Sequence, residues 1–320
     1  MTFSKILPYI GGKSDRDISI ALEVFKKSGH GTFVDRFAGS HRVSLAVLQN
    51  TDAIVHSYEI DPQVVGLMKV LFFGSDADRQ ILELAVDWFT IELAKAAQRS
   101  RDELDDAWRG LRIVASSGTS QNSIAAFVAY IQNAGSSNPR RNEAGMRNSG
   151  YASNKIEGAA SRKCKLLDLT QYADRILFNP ESSEDYRGSG KFVYADVPYY
   201  YPGKTPCYEG HKPGSIAQAR QYMEMAIGDG HDTVMYCNYT HPDIVELARD
   251  YGFQAPIALE DVGTASNQRG ENGKAIGHSY WLLNNTSNME HRNYGKQGKK
   301  ESKHYNHEKA VQAIAAIGRV

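Results

Sequence analysis

Three cysteines, Cys164, Cys207 and Cys237, are too few and too scattered to staple a fold or to give a zinc spacing. That scarcity excludes a disulfide framework and fits a reducing compartment. Long apolar runs are missing as well. No stretch approaches the roughly 20 residues that span a bilayer, and the first twenty residues lack a signal-peptide pattern, so neither a membrane nor export is expected. Net charge is absent too, with 37 Lys and Arg against 37 Asp and Glu, which argues against a protein coated in basic residues but leaves room for local basic patches. There is no internal repeat. What remains is a 320-residue chain of ordinary hydrophobic content, long enough for one large domain or two unequal ones around a substantial core.

The stretch that organises this chain is Phe192 to Tyr201, FVYADVPYYY. Its apolar start, Phe192 to Ala195, reads as a buried strand. Pro198 cannot donate to a sheet ladder, so the strand must stop near it and leave Asp196 at its carboxyl end. Open α/β sheets place ligands there. An acid beside Tyr199, Tyr200 and Tyr201 suits a flat, nitrogen-rich substrate, because the carboxylate accepts amino hydrogens while a ring covers the π-face. A strand running into a tyrosine-rich turn would read the same way.

Other segments fall around this strand. In Pro8 to Lys13, Gly11 and Gly12 allow close backbone approach and Lys13 can reach an anion. A helix with Ile18, Leu22 and Phe25 on one face follows, ending near Gly29. Thr32 to Val47 reads as strand, tight loop at Gly39 and helix from about Ser40, the unit that presents backbone N–H groups to a cofactor. A second strand, Ala53 to Tyr58, ends at Glu59, where ribose hydroxyls are commonly held; Glu59 or Asp61 could equally cap the helix opened by Pro62.

From Asp76 to Asp106 the chain reads as helical with a solvated acidic face, and residues 122–131 as a core helix. The character then changes. Residues 138–165 carry seven Lys and Arg against two Glu in a stretch rich in Asn, Ser and Gly, the composition that reads phosphates and base edges. Gly203 to Gly214 reads as a lid or substrate loop. Beyond it a helix capped by Ser215, a strand from Thr233 to Cys237, a helix from Asp243 to Asp250 and a terminal strand at 279–283 are expected. The tail from 291 is basic.

Taken together, Tyr9 to Lys13, Phe33 to Val47, Glu59 to Pro62, Arg141-Asn142 with Gly145 and Asn148, Asp196-Val197-Pro198-Tyr199 and Trp281 to Asn285 resemble the Dam-like N6-adenine DNA methyltransferases in order and spacing. The resemblance implies a Rossmann-like α/β methyltransferase sheet with a mostly helical target-recognition insertion. Residues 1–72 and 166–290 would form the catalytic, cofactor-binding domain, 73–165 the DNA-recognition region and 291–320 a basic tail. S-adenosylmethionine is the implied cofactor, held by Tyr9, Gly11, Gly12, Lys13, Asp35, Phe37, Gly39, Glu59 and Asp196, with Lys13 on its carboxylate and Glu59 on its ribose. Asp196, the Val197 carbonyl, Pro198 and Tyr199 would be catalytic. Arg140, Arg141, Asn142, Arg147, Asn148 and Lys155 would contact double-stranded DNA, and no metal is implied. The expected setting is the cytoplasm of a bacterium or phage-infected cell.

The chain departs from the family at two places: His41 stands for the second loop glycine and Val197 for the first catalytic proline. The polar neighbours Ser40 and Arg42 lead to the expectation that the His41 ring turns outward to water, leaving cofactor binding weakened but retained. A methyltransferase-like DNA-binding protein with lost or altered catalysis, using another cofactor or giving a modified adenine, is the alternative.

Overall fold

The computed structural model describes residues 6–7, 13–134, 141–142, 145–146, 151, 156, 158, 164–179, 191–200, 215–228, 232–254, 257–259 and 278–284. Helix α1 (Asp15–Ser28) starts on a capping box, Ser14 with Asp17, and ends at Gly29, whose left-handed backbone (φ 69°) closes the last turn. Strand β1 (Thr32–Asp35), helix α2 (Arg42–Asn50), strand β2 (Ile54–Ser57) and helix α3 (Pro62–Phe73) follow. Asp61 caps α3, its carboxylate accepting from the Gln63 N–H.

Three helices come next: α4 (Asp76–Arg99), α5 (Arg101–Ser116) and α6 (Gln121–Asn133). The acidic stretch read as helical is formed by two helices, α4 and the start of α5. Ser100 divides them, accepting from the Glu103 N–H at the start of α5. Helix α6, SIAAFVAYI at its centre, is buried on every side, as a helix apolar all round must be. Where α3 meets it, a Cβ on Gly66 would stand 2.8 Å from the Ile124 side chain.

A two-rung hairpin, β3 (Arg141–Asn142) with β4 (Gly145–Met146), is followed by a 3-10 turn (Thr170–Arg175) and strand β5 (Ile176–Phe178). Strand β6 (Lys191–Asp196), helix α7 (Ile216–Ile227), strand β7 (Thr233–Tyr239), helix α8 (Pro242–Asp250) and strands β8 (Ile257–Leu259) and β9 (His278–Asn284) complete the chain.

The main sheet has seven strands in the order β5-β2-β1-β6-β7-β9-β8. Pairing is parallel from β5 to β7, and β9 runs antiparallel to both β7 and β8. Alternation along the strands divides the burial. Phe33, Val55, Phe192 and Tyr194 face one core with α1, α2 and α3, while Val34, Val193 and Val234 face the other with α7 and α8. The first core runs without a break into Leu82, Trp108 and Phe127, so the three-helix insertion shares the hydrophobic interior of the sheet. Strand order reverses between β1 and β6, and the carboxyl ends of those two strands form the switch point where such sheets bind ligands.

Candidate functional site

At that switch point β1 ends in Asp35 and β6 in Asp196. The Arg36 N–H donates to the Tyr194 carbonyl (2.9 Å) and the Ala38 N–H to the Tyr58 carbonyl (2.9 Å), so the β1–α2 loop is tied to both neighbouring strands. Gly39 turns it with φ 50°.

Lys13 reaches in from the start of α1. Its Nζ lies 2.6 Å from Asp196 Oδ1 and 2.6 Å from the Tyr199 hydroxyl, and 4.9 Å from the centre of the Tyr199 ring. Burial alone would lower the Lys13 ammonium, but the charges of Asp196, Cys237 and Asp17 outweigh it and hold the pKa above that of an ordinary lysine. The Tyr199 hydroxyl also lies 3.0 Å from Cys237 Sγ, and its ring packs edge-on against Tyr239, centroids 4.7 Å apart. Burial raises both the Tyr199 phenol and the Cys237 thiol. Expected on a cofactor carboxylate, the Lys13 ammonium is engaged by the two side chains meant for the substrate. Arg42 fixes this approach: its guanidinium donates to the Lys13 carbonyl and to Asp15.

Asp35 is 1% exposed. One of its oxygens accepts from Ser44 Oγ at 2.6 Å, and Oδ1 has no hydrogen-bond partner among the described residues. Burial pushes its carboxyl up to about 7, against the pull of the Ser44 hydrogen bond and with a further push from Asp196. Glu59 is half-buried beyond β2 and folds back on the chain, accepting from the Asp61 N–H at 2.8 Å. Burial raises it to about 7, although hydrogen bonds from the Asp61, Ile60 and Gly39 amides oppose the shift. Asn179 holds Glu59 in place, accepting from its N–H (2.8 Å) and donating to its carbonyl (2.7 Å) from a left-handed backbone at φ 45°.

His41 corrects an expectation. Its ring does not turn to water: the residue is 1% exposed, and Ser40 and Arg42 are buried beside it. Its backbone is left-handed (φ 55°, ψ 19°), the conformation a glycine would take without strain. Nδ1 lies 3.0 Å from the Gly39 carbonyl, the ring centre 5.4 Å from that of Phe178, and Nε2 has no partner among the described residues. Burial lowers the imidazole to about 4, with the Gly39 hydrogen bond opposing. Water was the wrong partner to expect because Phe178, at the end of the short strand β5, packs against the ring.

The structure thus brings Lys13, Asp35, Asp196 and Tyr199 into one interacting group, and Glu59 and Gly39 into a second beside it. Phe37 points to the other core, its ring edge-on to Tyr222 at 5.5 Å. Val197 is buried in that same core and Pro198 is half-buried. Tyr200 carries the turn onward: its N–H donates to Asn238 Oδ1 (2.8 Å) and its hydroxyl to Asp243 (2.9 Å). Arg141 and Asn142 form the backbone of β3, and the Tyr151 hydroxyl donates to Asp105 on α5 at 2.9 Å. Tyr9, Gly11, Gly12, Arg140, Arg147, Asn148 and Lys155 lie outside the described residues, as do the 203–214 loop and the tail from 291.

Arg42, Asn179 and Asn238 position the site and carried almost no sequence signal. Asn179 precedes Pro180, a turn-forming pair, and that was its only mark. Ile60, 80% exposed immediately after Glu59, is a further apolar side chain offered at this edge. Among the described residues no cluster of His, Cys, Asp and Glu could hold a metal, and no helix is long and apolar enough to cross a membrane. No family model matches this chain, and no curated protein matches it.

Proposed function

We propose that the protein is an S-adenosylmethionine-dependent DNA adenine-N6 methyltransferase acting in the cytoplasm of a bacterium or phage-infected cell. The observation that carries this reading is Asp196 at the switch point of the sheet, beside Pro198 and Tyr199 and in electrostatic contact with Asp35. Numbered among themselves, the main-sheet strands read 3-2-1-4-5-7-6, and the first five follow the doubly wound nucleotide-binding order, which supports a Rossmann-like methyltransferase sheet.

The residues present fit the cofactor. Asp35 and Glu59 are carboxyls raised by burial, and Asp35 has an oxygen without a hydrogen-bond partner among the described residues. A ligand bringing an ammonium, a sulfonium and ribose hydroxyls would supply what they lack. Asp35 and Lys13 would hold the amino-acid end, Glu59 the ribose, and Ile60 an apolar ring. When bound, the cofactor supplies an electrophilic methyl group. Adenine N6 is a poor nucleophile because its lone pair is conjugated with the ring. Asp196 and the Val197 carbonyl would accept its two hydrogens and favour a more tetrahedral nitrogen, while Tyr199 covers the base. The base must leave the duplex first, at a cost of roughly a few kcal/mol. Arg141 and Asn142 on the hairpin, with the basic stretch around them, would contact the DNA.

A second reading, DNA binding without methyl transfer, is favoured by one specific observation: Lys13 occupies the Asp196 carboxylate and the Tyr199 hydroxyl. Catalysis therefore requires Lys13 to release Asp196. Nucleoside mass spectrometry of DNA from a host expressing the protein or its Asp196→Ala variant separates the two. Methylated adenine with the wild type alone is the expected result. Unmodified adenine in both, with DNA binding intact, overturns the first reading in favour of the second.

A further inference from the structure

Helix α4 carries an apolar stripe that nothing in the proposed reaction uses. Ile81, Leu84, Trp88 and Ile91 are 51%, 69%, 55% and 38% exposed. Their spacing of three, four and three residues sets them in one row about 15 Å long. The opposite face of the same helix carries Leu82, Val86 and Leu93, which enter the core. Four large apolar side chains at about half exposure amount to roughly 350 Å² of surface, within the range of the largest apolar patch on an ordinary domain, which is often functional.

The surroundings of the stripe narrow the occupant. Nucleic acid is disfavoured: Asp76, Asp78 and Glu92 share this helix with the stripe, while Glu83 and Asp87 accept from the Leu166 and Cys164 N–H groups. A spacing of three, four and three reads the same in both directions. When two copies of α4 meet antiparallel about a two-fold axis between Leu84 and Trp88, Ile81 of each faces Ile91 of the other and Leu84 faces Trp88. Charge agrees with that direction and opposes the parallel one. The first turn is acidic with Asp76 and Asp78, and the last turns carry Lys95 and Arg99. Antiparallel pairing brings Lys95 of one copy opposite Ala77 of the other, between those two aspartates. The intramolecular contact it would exchange, Lys95 with Glu92 at 2.8 Å, is exposed on both sides and weak. Helix dipoles also oppose favourably.

We propose that α4 is a homodimerisation helix, pairing antiparallel with α4 of a second copy of this chain. The stripe is less than half of the roughly 800 Å² per partner of a standard interface, so the dimer is of modest affinity, in the micromolar range.

Sedimentation velocity of the full chain from about 1 to 100 µM tests this. The expected result is a reversible monomer–dimer equilibrium. Leu84→Glu with Trp88→Glu should weaken it about 100-fold or more, since the pair forms the centre of the contact. Lys95→Glu, which sets acid against acid at the rim without touching an apolar residue, should weaken it several-fold. Circular dichroism of these surface variants should match the wild type. Zero-length carbodiimide cross-linking of mixed isotopically labelled and unlabelled protein should join Lys95 of one copy to Asp76 or Asp78 of the other. A monomer at every concentration overturns the proposal, and so does a dimer indifferent to Leu84 and Trp88, which would move the contact elsewhere. An unchanged monomer whose Leu84 and Trp88 variants lose thermal stability overturns it as well, in favour of the stripe being covered by a segment of the same chain.

Discussion

At the sheet's carboxyl end the β6 rim and the β1–β2 rim hold their acid groups in different ways. On the β6 rim, Asp196 meets a lysine brought from the other end of the chain, and Lys13, Asp196 and Tyr199 form a closed set. On the β1–β2 rim, Asp35 and Glu59 accept only from hydroxyl and amide donors, and burial lifts both to about 7, the charge of Lys13 offsetting the shift at Asp35 only in small part. A carboxylate in contact with an ammonium is held ready but blocked; a buried carboxyl with no cation in contact is costly to ionise until something positive or hydrogen-bonding arrives. The difference teaches where a ligand gains most. On the β1–β2 rim it relieves an existing cost, whereas on the β6 rim it must first displace Lys13.

The sharpest break of this contrast is Lys13→Met. It leaves Asp196 desolvated without its cation, and urea unfolding at pH 7 should show a loss of about 3–5 kcal/mol. A loss below about 1 kcal/mol would mean that water screens the pair and that the rims do not differ. Asp35→Asn works on the other rim and in the other direction. The folded carboxyl titrates near 7 and the free one near 3.8, so its stabilising contribution is complete below about pH 4 and is lost as pH rises through about 7. The asparagine variant should lack that decline, of order 4 kcal/mol across the window, and be the more stable protein at pH 8. Parallel stability curves for the two proteins would show that Asp35 is not held protonated by burial.

Smaller effects sharpen the picture. Asn179→Ala removes two hydrogen bonds to Glu59 and puts alanine at positive φ, for about 2 kcal/mol in urea unfolding; Asn179→Gly should recover about 1 kcal/mol by restoring the backbone alone. His41→Gly relieves a left-handed residue but deletes a buried ring, so at pH 7 thermal melts should differ by no more than about 1 kcal/mol. At pH 5 the variant should gain relative to the wild type. The His41 value lies near 4 against 6.5 for the free ring, so its contribution is present above 6.5 and is lost as pH falls. A variant gain that grows instead with rising pH would reverse this account.

Most of the framework was legible in local pattern. The buried run at 192–195, the glycine close of α1, the cap at Asp61 and the apolar centre of α6 announce themselves over a few residues, because burial and capping are local constraints. Strands β5 and β8, three residues each, are too short to show a period. The break at Ser100 had a signal, serine followed three residues later by Glu103, but two good helical stretches on either side hid it. The site divides likewise. Residue types at strand ends were readable, whereas the partners were not: Lys13 and Asp196 lie 183 positions apart, and only the crossing of α1 past β6 brings them together. His41 failed for the same reason, since its burial comes from Phe178 on a strand that was not foreseen.

Helix α6 belongs to the inserted segment yet sits in the same apolar interior as β1 and β6. Its amides should therefore exchange with solvent hydrogen only when the entire molecule opens, at the free energy of global unfolding, while those of β3 and β4 exchange through small local openings. The insertion is a cooperative part of the fold rather than an appended module, and it cannot swing as a rigid arm. Substitutions in the β3–β4 pair carry little structural risk. A change in α6 would reach the strands that carry Asp35 and Asp196 only through the continuous core, by way of α3, α4 and α5.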